Sequence, residues 1–274
     1  MKEIQDYRSF RMRCLATTLG IVYECKPPPN VIVSVRLKRL DSIRRKLNRA
    51  SANFKLGGLD DVIGVRVICQ SLLDVRDFSS RIEKIPQSRL KDYVDNPAVT
   101  GYRGVHGILA FPQPAGAGIE LRARFEVQVR TYYQHRWAVW SESHGEAVKV
   151  GAGNSDEHRR LFQISERIAQ WEIDNPDVIQ TNLPQSVGAR SIAVCWKPEH
   201  GPARLDFFDE DVKAAIDWLQ YLEEKHTERR REALLLVGLA EHSERKSLIQ
   251  LTHPLYTGVR VIDPNYWMPD RTPD

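Results

Sequence analysis

Two carboxylates sit where a metal-dependent phosphate chemistry would need them. Asp61 lies in DDVIGVRVIC, where it would open a strand, and Glu126 lies mid-way along LRARFEVQVR, on a face shared with Gln128 and Arg130. A carboxylate pair on neighbouring strands is a usual way to hold Mg²⁺, which takes a few oxygens and keeps waters for nucleotide phosphates. Taken singly, each reads more simply as a turn Asp and an exposed strand Glu. A cationic stretch precedes them: Arg36, Lys38, Arg39, Arg44, Arg45, Lys46 and Arg49 against one acid, Asp41. Arginine forks and lysine point charges suit polyphosphates, although an isolated charge run is ordinarily a solvated helix face. The third element is GYRGVH at 101–106. Its glycines allow close backbone approach and Tyr102 offers a ring on which a base could stack; alone, it is a glycine-bounded turn with a packed tyrosine.

Other reactive residue types carry less. His135 and His144 lack a complete zinc ligand set, so helix packing is the simpler role. Trp137 and Trp140 read as core. Cys14, Cys25, Cys69 and Cys195 are far apart and form no C-x-x-C pair, which fits buried free thiols in a reducing cytoplasm.

The elements that must position these residues follow from periodicity. Residues 1–25 read as a helix closed by Pro27-Pro28-Pro29, and Val31-Ile32-Val33 as a short strand leading into a helix over residues 36–49. On that helix Leu40, Ile43 and Leu47 share one face, with Lys38, Arg39, Ser42, Arg45, Lys46 and Arg49 opposite. DDVIGVRVIC predicts a buried strand and residues 72–84 a helix. LRARFEVQVR alternates strictly, with Leu121, Ala123, Phe125, Val127 and Val129 against Arg122, Arg124, Glu126, Gln128 and Arg130, so its charged face needs a cleft or a ligand. TYYQHRWAVWSES and residues 155–172, with Leu161, Ile164 and Ile168, predict two further helices. NPDVIQTNLPQSVG is the best linker. Beyond it SIAVCW and ARLDFF predict paired strands, Val212, Ile216, Leu219 and Leu222 an amphipathic helix, and ALLLVGLA a buried strand, with extended pieces ending near DPNYW.

With 274 residues, 42% hydrophobic and 28% charged, the chain has the composition of a globular protein with a proper core. The net charge of +4 is compatible with a polyanionic ligand. No stretch approaches a membrane span and the N-terminus has no apolar signal region, so a cytoplasmic protein is expected.

The order of the motifs resembles the RelA/SpoT-type synthetases. Arg36, Lys38, Ser42 and Lys46 reproduce R-x-K-x3-S-x3-K; Asp61, Gly64 and Arg66 reproduce D-x-x-G-x-R; Lys91-Asp92-Tyr93 is similar to the family's KDY; Gly101-Tyr102 with His106 resembles G-Y-x-S-x-H. Glu126-Val-Gln128-Val-Arg130-Thr131 resembles E-[IV]-Q-[IV]-R-T, followed by His135 and Ala138. Thr100 stands where many members have Asn, and Gly104 where they have Ser. The resemblance covers residues 30–145 and implies an α+β fold, a mixed sheet flanked by helices, akin to nucleotidyltransferases and without the family's hydrolase half. The expected division is a synthetase domain at 1–175, a linker at 176–187 and a small C-terminal α+β unit at 188–274.

The resemblance further implies a Mg²⁺-dependent diphosphate transfer from ATP to the 3′-hydroxyl of GDP or GTP, yielding guanosine tetra- or pentaphosphate. ATP would meet Arg36, Lys38, Ser42, Lys46 and Arg66; Asp61 and Glu126 would hold the metal, with Glu126 also taking the proton. Lys91, Tyr102, His106, Gln128 and Arg130 would bind the acceptor. A toxin branch of the family, modifying the 3′ end of tRNA and held by a cognate antitoxin, is the alternative; Gly104 and the basic clusters Arg229-Arg230-Arg231 and Arg245-Lys246 favour it. A non-catalytic nucleotide-binding module is the third reading, and it has no need of both carboxylates.

Overall fold

The protein is described by a computed structural model at residues 2–28, 31–38, 40–48, 55–111, 124–143, 156–180, 192–196, 204–209, 211–226 and 234–237. Strands β1 (Ile32–Leu37), β2 (Ile63–Cys69), β3 (Arg89–Asp92), β4 (Val105–Ala110), β5 (Arg124–Thr131), β6 (Ile192–Trp196), β7 (Arg204–Phe207) and β8 (Leu234–Val237) form one sheet in the order β3-β4-β5-β2-β1-β8-β6-β7. β2 and β5 run parallel and the other pairs antiparallel. The sheet is mixed and flanked by helices, as expected.

Strand alternation sorts the two faces. Val33, Val35 and Leu37 of β1, Val65 and Val67 of β2, and Phe125, Val127 and Val129 of β5 point into the main core. There they meet α2 (Leu15–Glu24), α4 (Leu72–Glu83) and α7 (Val212–His226) through Leu19, Phe78 and Leu219 among others. The intervening residues, Ser34, Arg36, Gly64, Arg66, Glu126 and Gln128, take the opposite face. Period-two side-chain direction in a paired strand makes this an all-or-none choice.

The remaining helices frame that polar face. α3 (Leu40–Leu47) sits on α1 (Lys2–Arg13) around a small cluster of Ile43, Leu59 and Val62. α5 (Tyr132–Ser143) and α6 (Asp156–Asp174) pack together through Trp137, Trp140, Leu161, Ile164 and Ile168. His135 is buried within α5.

Several expectations need correction. The helix expected over 1–25 is two helices meeting at Cys14, because the halves bury different groups: Arg8, Arg11 and Met12 from α1, and Leu15, Thr18, Leu19, Ile21 and Val22 from α2. The cationic helix begins at Leu40 rather than 36. Arg36 belongs to β1, whose ladder to β2 runs to the Leu37–Ile63 pair and is extended by Lys38 N–H donating to Val62 at 2.8 Å. Ladder bonds to a neighbouring strand outweigh helix propensity there. Part of the expected linker is held in place, with Leu73 N–H donating to Pro176 C=O and Gln180 N–H to Gln70 C=O. β8 and β6, from the expected C-terminal unit, continue the sheet beyond β1. Residues 181–191, Arg39, Arg49, His144, both distal basic clusters and DPNYW lie outside the described residues.

Adjacent residues of β5 therefore make opposite demands. Phe125→Ala should cost about 3–5 kcal/mol of unfolding free energy in urea titration, the usual range for a buried aromatic. Glu126→Gln, on the polar face, should leave the unfolding midpoint nearly unchanged.

Candidate active site

Strand register assembles the polar face from distant parts of the chain. Ser34, Arg66, Gln128, His106 and Lys91 lie opposite one another across β1, β2, β5, β4 and β3. A second row carries Arg36, Gly64 and Glu126. Together Ser34, Arg36, Gly64, Val65, Arg66, Glu126 and Gln128 line one shallow groove. Gly64 has no side chain, and a Cβ there would already touch Arg36 Nε at 3.6 Å.

Asp61 lies in the turn just before β2, at one end of the face. Its Oδ2 accepts from Lys38 Nζ at 2.5 Å and pairs with Lys46 Nζ at 2.9 Å. Its Oδ1 is buried with no hydrogen-bond partner. Burial would raise this carboxyl, but the bonds and charges of Lys38 and Lys46 outweigh it and hold Asp61 below the ordinary carboxylate value. Ser42, on α3, lies within 3.4 Å of an Arg45 nitrogen.

Around Glu126 the side chains close into a circuit. His106 Nδ1 faces Glu126 Oε1 at 3.4 Å, and Gln128 Nε2 donates to Oε2 at 3.0 Å. Arg130 donates from one nitrogen to Gln128 Oε1 and from Nε to the Tyr102 hydroxyl at 2.7 Å. The hydroxyl meets His106 Nε2 at 2.7 Å. Burial, then the cations Arg130, Lys91 and Arg66, push the His106 pKa down to about 3, so the ring is neutral. A carboxylate only accepts, which assigns the ring proton to Nδ1 and leaves Nε2 to accept from Tyr102. Burial raises the Tyr102 phenol, against the pull of Arg130, and keeps it protonated for that bond.

The Tyr102 ring is engaged by protein groups. The Arg130 guanidinium lies over it at 4.6 Å, Tyr93 and His106 meet it edge-on at 5.7 and 5.0 Å, and it packs against the α5–α6 cluster. Lys91 Nζ lies 4.7 Å over the Tyr93 ring, so Lys91 and Tyr93 extend the face beyond His106. Two glycines permit this arrangement. Gly101 has φ +83° and a Cβ there would stand 3.1 Å from the Phe162 backbone; Gly104 has φ +133° and a Cβ would stand 2.9 Å from Arg130 Cγ.

Sequence reasoning missed three supports. Arg8 Nε donates to the Lys38 carbonyl at 2.9 Å, and fully buried Arg11 donates to the Arg124 carbonyl and lies over Phe111. Thus α1 grips both the link bearing Lys38 and the start of β5. Arg124 Nε itself pairs with Asp60 at 2.6 Å, beside Asp61. Glu172 of α6 is buried among Thr131, Gln134 and Gln180, and burial raises its carboxyl. The signal for Glu172 was its place four residues beyond Ile168 on the apolar stripe of α6. That for Arg8 was its helical spacing from Ile4 and Met12.

Residues 35–146 match the family described as "Region found in RelA / SpoT proteins". The chain carries a RelA/SpoT region. It is 29% identical over 110 residues to GTP pyrophosphokinase YwaC of Bacillus subtilis, covering 38% of this chain and 52% of that protein. It is 28% identical over 158 residues to a guanosine-3′,5′-bis(diphosphate) 3′-pyrophosphohydrolase of Borreliella burgdorferi, covering 55% of this chain and 21% of that one. The chain thus spans about half the length of the first relative and a fifth of the second. A GTP pyrophosphokinase family protein from Streptococcus pneumoniae superposes with TM-score 0.48 at 24% identity, covering 64% of this chain and 90% of that one. The RelA/SpoT region contains all the expected site residues, whereas Arg8, Arg11 and Glu172 lie outside it. Among the described residues no helix is long and apolar enough to cross a membrane, and no group of three His, Cys, Asp or Glu gathers as a metal site.

The neutral imidazole has a thermodynamic consequence. An unfolded chain protonates His106 near 6.5 while the folded chain resists to about 3, so the unfolded state binds the extra proton between those values. Stability should fall as pH drops through that window, by at most about 1.4 kcal/mol per unit from this group. Asp61 acts in the same sense only below 3.8. Urea midpoints measured from pH 6.5 to 4 should decline in the wild type and flatten in His106→Asn.

Proposed function

We propose that the polar face is a diphosphotransferase site, moving the β,γ-diphosphate of ATP to the 3′-hydroxyl of GDP or GTP. The observation that carries this reading is the row of Arg66, Gln128, His106 and Lys91 beside a second row holding Arg36 and Glu126, with the Lys38–Asp61–Lys46 cluster at its end. The face thus brings Arg36, Lys38, Lys46, Arg66 and Lys91 together with two carboxylates, as a reaction between two polyphosphates requires. Names of relatives that act on guanosine nucleotides support the acceptor class.

Mg²⁺ fits the donor set: the buried Asp61 Oδ1 has no hydrogen-bond partner, and Mg²⁺ takes a small number of carboxylate oxygens alongside phosphates and water. Asp61 and Glu126 would hold it, and when bound it neutralises charge on the phosphate oxygens. The chain's residues do the rest. Arg36 and Arg66 meet ATP along the groove, and Lys38, Ser42 and Lys46 meet its phosphates at the Asp61 end. Lys91, Tyr102, His106, Gln128 and Arg130 orient the acceptor. Glu126 takes the proton of the 3′-hydroxyl as that oxygen bonds to the β-phosphorus. The bond from the β-phosphorus to the bridging oxygen breaks, and AMP leaves with that oxygen. Positioning and electrostatics suffice, with no covalent nucleophile.

ATP labelled at the γ-phosphate should transfer label to GDP or GTP in parallel incubations with GDP, GTP, ADP and deacylated tRNA. Asp61→Asn and Glu126→Gln should each lower kcat by about 10²–10⁴-fold while the protein stays folded. A Glu126→Gln variant with near-normal kcat would remove the base from the scheme. Label on tRNA alone, with use of tRNA falling steeply as salt rises, would identify a nucleic-acid acceptor instead.

A further inference from the structure

We infer that the hydroxyl of Tyr102, as distinct from its ring, is a positioning group that fixes both oxygens of the Glu126 carboxylate. The inference rests on the reading of Glu126 as the base, and on a geometric fact independent of it. Two branches leave the hydroxyl and reach different oxygens of one carboxylate, hydrogen-bonded throughout on the Arg130 side and ending in a 3.4 Å approach on the His106 side. One runs through His106 to Oε1, with contacts of 2.7 and 3.4 Å. The other runs through Arg130 and Gln128 to Oε2, opening at 2.7 Å and closing at 3.0 Å.

Donor and acceptor roles close without conflict. Arg130 Nε–H can only donate, so the phenol oxygen accepts from it and has its own hydrogen left for His106 Nε2. His106 Nδ1–H is then directed at Glu126. On the other branch Arg130 donates to Gln128 Oε1, which turns the amide so that its NH₂ faces Glu126. Removing the hydroxyl frees the imidazole to place its proton on either nitrogen. With the proton on Nε2, a lone pair would face the carboxylate. Arg130 Nε would lose its acceptor at the same time. Glu126 keeps lone pairs on both oxygens, so the circuit fixes its orientation without consuming its capacity as a base.

The backbone at Gly104 is built around this hydroxyl. A Cβ there would lie 3.1 Å from it, 3.0 Å from the Val129 carbonyl and 2.9 Å from Arg130 Cγ, at φ +133°. A side chain at 104 would have to displace Arg130 Cγ, the Val129 carbonyl or the phenol oxygen, two of which belong to or carry the circuit. Gly104 is thus a second positioning residue, acting through Tyr102.

Tyr102→Phe keeps the ring and deletes the hydroxyl. It should lower kcat about tenfold, the worth of one well-made bond to a charged network, with KM for ATP and for the acceptor within about twofold of wild type. Gly104→Ala should show the same split. In ¹⁵N-histidine spectra of the ligand-free protein, wild-type His106 should be a neutral ring protonated at Nδ1, and its Nε2 signal should move in Tyr102→Phe. Unchanged kcat with a raised acceptor KM in Tyr102→Phe would mean the ring alone matters and would overturn the inference. Should the wild-type protein transfer no diphosphate, the reaction reading falls and the nitrogen spectrum decides the circuit: a shifted Nε2 supports it, an unchanged one overturns it.

Discussion

The site depends on β2 and β5 running side by side in parallel with one fixed register. Gly64 stands opposite Glu126 and Arg66 opposite Gln128. A slip of one residue would turn Glu126 into the core and Phe125 out of it, so burial of the apolar face enforces the register of the polar one. A parallel pair also needs a long crossover. Here the crossover contains α4, β3 and β4, and its return strand brings His106 beside Gln128 and Lys91 beside His106. The connection that parallel pairing demands is therefore the source of Lys91, Tyr102 and His106.

Charge on that face is arranged rather than merely abundant. Asp61 takes two lysines on one oxygen while its other oxygen stays without a hydrogen-bond partner. Glu126 has one oxygen on a neutral histidine and the other on an amide. The two carboxylates thus sit in different company: Asp61 in a strongly cationic corner, Glu126 among neutral donors that orient it. Dipoles fixed before the ligand arrives spare reorganisation at the moment of reaction.

The supports lie largely beyond the RelA/SpoT region. Arg8 and Arg11 tie α1 to the backbone at Lys38 and Arg124, flanking the strands that carry the two carboxylates. On the other side Glu172 gathers Thr131, Gln134 and Gln180, joining the end of β5, the start of α5 and the segment after α6. Buried charges of this kind cost stability unless every lone pair is used. Glu172 offsets much of that cost with three hydrogen bonds, two on one oxygen and one on the other, and it fixes the wall against which Tyr102 packs.

The sequence by itself determined the strand faces and the identity of the polar residues. The alternation around Phe125 and Glu126, the stripe on α6 and the strand of DDVIGVRVIC were legible because side-chain periodicity is a local property of the backbone. The order of the motifs was enough to point to the RelA/SpoT region that residues 35–146 match. The sequence did not determine that Arg36 belongs to a strand or that β8 and β6 join the sheet of β1, since both depend on hydrogen bonds to residues far along the chain, nor that α1 and α2 part at Cys14, which depends on what each half buries. Nor did it show that Tyr102, His106, Arg130 and Gln128 converge on Glu126. That convergence needs two strands in register and two glycines at positive φ in the loop before β4, and only the tertiary structure brings them together, because a side-chain circuit closes through space and leaves no period in the chain.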